Sequence, residues 1–309
     1  VGGDRDLGGA RLMRHLASSL LVLVLAAIGT GPMAAAEAGP PVVIDADGNA
    51  VTIEDATRVA TLGGVFTETA YALGAADQIV AVDASSYYPP EALAEKPDLG
   101  YYRFLSAESV LAQAPSLIVG NVEAGPPEVI EQLRGAGVPV LLLPDGNDVS
   151  SARELITTLG TVFGREAEAE VLVAGLDADV AAAQALVDRA TSHPRVLFVL
   201  QPPDAPLLVS GEDSAAGHMI DLAGGVGYIP MTPEGIVQTA PEVILTTTDS
   251  VDQLGGLEAL LAHPGVAQTP AAADDRVYVM EDLYLMGFGP RTGQAIADLA
   301  RLLHPELAS

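Results

Sequence analysis

From residue 42 onward, short apolar runs alternate with stretches whose apolar positions recur at helical spacing. Val42-Val43-Ile44 and Val51-Thr52-Ile53 flank an Asp47-Gly48 turn, which predicts a hairpin. Residues 59–62, 79–82, 117–119 and 140–143 then read as strands, and 67–73, 106–114 and 127–136 as helices, the first and last closed by Gly74 and Gly137. A Ser-, Tyr- and Pro-rich stretch, 85–97, reads as a loop. No strand candidate falls in 151–192. There a helix over 153–163 ends at Gly164, and an Ala-rich segment of about 27 residues, 165–191, predicts a single long helix of about 40 Å. Alternation resumes with strands at 196–200, 243–245 and 277–279 and helices at 214–222, 233–238 and 293–303. Strands alternating with helices specify parallel sheets covered on both faces.

A faint repeat refines this picture. Laid over 226–247, residues 100–121 bring Tyr102 onto Tyr228, Ser106 onto Thr232, Glu108 onto Glu234, Ala114 onto Ala240 and Pro115 onto Pro241, at a constant offset of 126. One supersecondary unit used twice predicts two similar α/β lobes with a ligand cleft between them. The expected division is a hairpin at 39–56, one lobe at 57–150, a helical connection at 151–192 and a second lobe at 193–309.

Residues 1–38 follow another rule. Arg11, Arg14 and His15 precede an apolar run over 16–28 and a small-residue stretch, Ala34-Ala35-Ala36-Glu37-Ala38, the three-part pattern of a secretory signal cleaved after Ala36 or Ala38. The run is shorter than the roughly 20 residues that cross a bilayer. Met13-Arg14 offers a natural start, so 1–12 are expected to be untranslated. Cysteine is absent, which argues against disulfides, thiolate metal sites and a lipid-modified cysteine after the signal.

The 309 residues are 49% hydrophobic, enough for two cores, and carry 14 Lys+Arg against 41 Asp+Glu, a net charge of −27. Three arginines balance three acids within 1–38, so the acidity belongs to the remainder. It argues against nucleic acid as a partner and suits either a saline habitat or a basic protein surface. The chain is expected to be a monomer.

Glu108 and Glu234 each fall at the second position of a predicted helix, after the N-caps Ser106 and Thr232. Singly, each would complement a helix dipole by about 0.3–1 kcal/mol. As a pair on two equivalent lobes, they could also dock on basic residues of a two-fold symmetric partner.

The whole pattern resembles the substrate-binding proteins of cobalamin and siderophore importers. Within that class Gly100-Tyr101-Tyr102-Arg103-Phe104-Leu105-Ser106-Ala107-Glu108, then Ala124-Gly125-Pro126-Pro127 and Met286-Gly287-Phe288-Gly289-Pro290-Arg291, resemble periplasmic haem-binding proteins of ABC importers. The resemblance implies two Rossmann-like lobes joined by the single long helix, and haem b as the transported ligand. It implies Tyr101 on the haem iron, Arg103 supporting it, and Glu108 and Glu234 facing the arginines of an ABC permease dimer served by its ATPase. Adjacent Tyr102 could exchange roles with Tyr101. A phenolate is a hard donor suited to ferric iron, and the iron and a guanidinium both favour its charged form.

Further pocket candidates are Tyr284, as contact or ligand, and Arg291, as a partner for a propionate. His218 faces either the cleft or the core. His193, His263 and His304, each before a proline, read as structural. Gly63-Gly64 lacks the Lys-Ser/Thr of a phosphate loop, and no metal site besides the haem iron is expected. Cobalamin or a ferric siderophore is the alternative ligand. A secreted α/β enzyme using the cleft carboxylates is the more distant reading, since no nucleophile elbow is present.

Overall fold

The computed structural model describes residues 39–144, 146–201, 208–209, 214–227 and 233–308. The export signal and the repeat positions Tyr228 and Thr232 lie outside the described residues.

β1 (Val42–Ile44) and β2 (Ala50–Thr52) pair antiparallel. Asp45 accepts the backbone N–H groups of Asp47 and Asn49 at 3.0 and 2.7 Å, closing the turn between them. β3 (Val59–Leu62), α1 (Gly64–Ala72), β4 (Ile79–Val82), α2 (Pro90–Glu95), α3 (Ala107–Leu111), β5 (Leu117–Asn121), α4 (Pro127–Gly135) and β6 (Val140–Leu143) build a parallel sheet in the order β4-β3-β5-β6. Every residue of β3, β5 and β6 is buried, as expected for strands covered on both faces.

α5 (Val149–Phe163) and α6 (Glu166–Val187) link this sheet to the next. Asp148 and Ser151 form a reciprocal capping box at the start of α5, and Gly164, in the left-handed region at φ 63°, ends it. The connection is thus two helices, and the longer has 22 residues. The Ala-rich pattern continues beyond Val187, but the chain turns at Asp188–Ala190 to reach the next strand.

The second lobe contains β7 (Arg195–Leu200), β8 (Leu208–Val209), α7 (Ala215–Leu222), β9 (Val226–Gly227), α8 (Pro233–Thr239), β10 (Val243–Thr247), α9 (Thr248–Leu254), α10 (Leu257–Ala262), α11 (Pro270–Ala273), β11 (Val277–Met280), α12 (Asp282–Met286) and α13 (Thr292–Leu303). Its sheet runs β11-β10-β7, with β9 parallel to β7 and β8 antiparallel to it. β9-β7-β10-β11 therefore repeats β4-β3-β5-β6. α13 lies against α6 so closely that a Cβ on Gly293 would stand 2.5 Å from the Asp179 Cβ.

The repeat is also visible in the backbone. β5 and β10 are offset by the same 126 residues, and the turns before them hold Ala114 and Ala240 at φ 48° and 44°, a region costly for a residue with a Cβ. An arginine secures each turn. Arg58 donates to the Ala114 carbonyl at 2.9 Å, and Arg195 donates to the Ala240 carbonyl at 2.8 Å.

Three stretches depart from the sequence pattern. α1 begins at Gly64, not at 67, because its first N–H groups find acceptors about twenty residues away: Asp83 Oδ1 takes the Gly63 N–H at 2.8 Å and Ser85 Oγ the Gly64 N–H at 2.9 Å. α2 forms inside the predicted loop, with Pro90 at its first position and Ala92 buried. α9–α11 fill a stretch whose short helices carry no long apolar period.

These contacts predict opposite signs for two alanine–glycine exchanges. Ala114→Gly relieves a left-handed alanine and should raise stability in urea unfolding by about 1 kcal/mol. Gly64→Ala puts a Cβ 2.2 Å from the Ser85 carbonyl oxygen and should lower it by about 1–3 kcal/mol.

Candidate functional site

In parallel α/β sheets the strand carboxyl ends converge on one rim, where ligands bind. Here the loops after β3, β4, β5 and β6 and those after β10 and β11 line a common cleft of about 570 Å³. Tyr101, Tyr102 and Arg103 stand on its N-terminal wall, and Asp249, Asp282, Leu283 and Met286 on its C-terminal wall.

A short stitched turn positions the tyrosines. Tyr102–Phe104 is one turn of 3₁₀ helix in which the Phe104 N–H reaches the Tyr101 carbonyl at 2.8 Å. The Gly125 N–H bonds to the Tyr102 carbonyl at 2.9 Å, and the Leu105 N–H to the Gly125 carbonyl at 2.8 Å. The Ala124-Gly125-Pro126-Pro127 string thus holds the tyrosine turn in place. Tyr102 is buried among Leu99, Leu105 and Val110, whereas Tyr101 is 41% exposed. Their ring centroids lie 4.7 Å apart. Arg103 donates to Glu123, and its guanidinium carbon is 5.4 Å from the Tyr102 ring centroid and 6.0 Å from that of Tyr101. Burial works against the Arg103 charge, but the two phenols and Glu123 outweigh it and hold the pKa above its ordinary value.

Across the cleft, the Tyr87 hydroxyl donates to Asp249 Oδ2 at 3.2 Å, joining the two lobes. Burial, reinforced by Asp249, raises the Tyr87 pKa, so that phenol stays protonated. Asp282 in turn accepts the Asp249 N–H at 3.0 Å. Burial raises the Asp282 carboxyl, and the charges of Asp249 and Glu281 add to the effect against opposing hydrogen bonds. Beneath the N-terminal wall lies Asp83, fully buried and likewise raised by desolvation while it holds Gly63 and Ser85.

Three predicted pocket residues are not brought into this cleft. On α12, Leu283 and Met286 face it, while Tyr284 points the other way and donates to Asp298 at 2.8 Å. Arg291 is consumed by an ion pair: Nε and Nη2 each lie 2.8 Å from a Glu68 oxygen, and its guanidinium stacks 3.7 Å from the Tyr88 ring centroid. His218 lies on an exposed face beside Asp148 and Asp221, its Nδ1 2.8 Å from the Asn147 carbonyl. Glu108 and Glu234 are both exposed at the second position of α3 and α8, away from the cleft lining. Among the described residues no group of three His, Cys, Asp or Glu is placed to hold a metal ion.

Sequence reasoning passed over Tyr87, Asp249 and Asp282. A signal existed for one of them. Asp249 stands 126 residues after Glu123, so carrying the repeat two residues past β5 reaches it.

A model of the periplasmic binding protein family matches residues 59–284, and the chain belongs to that family. The apo form of a periplasmic heme-binding protein from Roseiflexus sp. RS-1 superposes with a TM-score of 0.77 at 37% identity, over 82% of this chain and 100% of that one. The periplasmic heme-binding protein BhuT, solved with two hemes, gives 0.74 at 38% identity, over 81% and 98%. The cobalamin-binding protein of Halobacterium salinarum is 25% identical, over 93% of this chain and 84% of its own length. The two-lobed α/β fold is that of these proteins, and membership places the chain among binding proteins of transport systems rather than enzymes.

Two outcomes follow. Glu68→Ala removes the two short hydrogen bonds of Arg291 and leaves it only the longer contact with Glu281 at 3.8 Å, and should cost about 1–3 kcal/mol in urea unfolding. For Asp282, a carboxyl raised in the folded state stabilises fully below the ordinary aspartate value near 4 and loses that contribution as pH rises through the raised value. The stability of Asp282→Asn relative to the parent should therefore climb as pH rises from about 4 through the raised value and level off above it, as read from paired urea midpoints.

Proposed function

We propose that this periplasmic binding protein captures haem in the cleft and delivers it to an ABC importer of the inner membrane. The observation that carries the reading is the half-exposed Tyr101 phenol on the cleft wall, beside a guanidinium. Ferric iron takes an anionic oxygen donor, and Tyr101 offers that oxygen at the cleft wall. Tyr102, buried behind it, supports the turn. Two solved relatives at 37% and 38% identity are called heme-binding, which supports the same ligand. In this reading the cargo is haem b with its iron on Tyr101.

The remaining assignments rest on the same reading. Residues 57–150 and 193–309 are the lobes, 151–192 the connection, and 1–38 an export signal removed by cleavage. Glu108 and Glu234, matched and exposed at two helix starts, would meet basic residues of a permease dimer driven by its ATPase. The cobalamin-binding relative supports a second ligand, which has no need of a phenolate.

Titrating the protein without residues 1–38 with ferric haem should produce a saturable high-spin tyrosinate spectrum. Tyr101→Phe should abolish that spectrum and weaken binding by about tenfold or more, 1.4 kcal/mol or above, while Tyr102→Phe keeps the spectrum. Saturable binding of cobalamin with no response to haem would instead establish the second reading.

A further inference from the structure

The cleft is electrically lopsided. Of the chain's 14 lysines and arginines three lie in residues 1–38, and Arg103 is the one basic residue on the cleft lining among the described residues. Residues 145, 202–207, 210–213 and 228–232, outside the described set, contain no lysine or arginine. Other cations are engaged elsewhere: Arg291 on Glu68, and Arg58 and Arg195 on the carbonyls of the two left-handed turns. The opposite wall presents Asp249 and Asp282, with Asp249 held at the cleft by the hydroxyl of Tyr87. A ligand with an apolar body and anionic groups on one edge therefore meets a guanidinium balanced by Glu123 on one wall and carboxylates with no cation beside them on the cleft lining on the other, so the walls differ chiefly in repulsion, unscreened where water is displaced.

Building on the haem reading, we infer that Asp249 is a specificity-determining residue that sets ligand orientation: it keeps the propionates off the C-terminal wall and turns them toward Arg103. The apolar edge of the macrocycle then lies against Leu283 and Met286. Tyr87 is a positioning residue that fixes the carboxylate across the gap.

The test compares ferric haem with its dimethyl ester, which keeps the ring and iron but lacks both carboxylates. Asp249→Asn should improve haem relative to the ester by about threefold, an effect that shrinks as salt is raised. Arg103→Gln should move the same ratio the opposite way. Tyr87→Phe removes the hydrogen bond but keeps the charge, and should shift both affinities together. An unchanged ratio in Asp249→Asn, or a ratio shift in Tyr87→Phe as large as that in Asp249→Asn, overturns the inference while leaving haem as the ligand. If neither haem nor its ester binds the parent protein, the haem reading fails and the inference falls with it.

Discussion

The ion pair between Glu68 and Arg291 is the constraint on which the geometry of the cleft depends. Glu68 lies on α1, the helix whose first turn forms part of the N-terminal wall, and Arg291 stands immediately before α13, which packs on α6. Two parallel hydrogen bonds and the Tyr88 ring fix the guanidinium in a plane, so the pair resists sliding as well as separation. It ties one lobe to the other. With the Tyr87–Asp249 bond across the cleft itself and the His218 ring on the Asn147 carbonyl, it is among the polar contacts that join the lobes.

Within that frame, duplication supplies symmetry and divergence supplies chemistry. Both lobes use the same strand order, the same left-handed alanine before proline and an arginine on its carbonyl. The helices that precede those turns begin alike, with a glutamate at the second position. What differs is the rim. The N-terminal wall carries three phenols and a guanidinium, the C-terminal wall two carboxylates, and the acidic position of one copy, Glu123, is spent neutralising Arg103 while its counterpart Asp249 faces the gap. An amphiphilic ligand bound there experiences the difference between the copies, not what they share.

Much of the architecture was legible along the chain. Strands buried on both faces are continuous apolar runs, so β3, β4 and β6 were read to the residue, and the offset of 126 announced the second lobe. The Gly100-Tyr101-Tyr102-Arg103 string pointed to a wall of the cleft. Where reading failed, the deciding partner was remote. The start of α1 depends on Asp83 and Ser85, and Arg291 looked available for a ligand because nothing near it in sequence reveals Glu68, 223 positions earlier. Tyr284 sits one residue from Leu283, yet helical spacing sends the two side chains to opposite faces.

The sequence by itself therefore determined the class of fold, the duplication, the scarcity of positive charge and the tyrosine pair, because these follow from local periodicity and composition. Only the tertiary structure decided which tyrosine is open to the cleft, which arginine is already paired and which carboxylates share the gap. Burial and charge pairing are set by neighbours in space, and the partners of Arg291 and Asp249 come from segments that no local pattern connects.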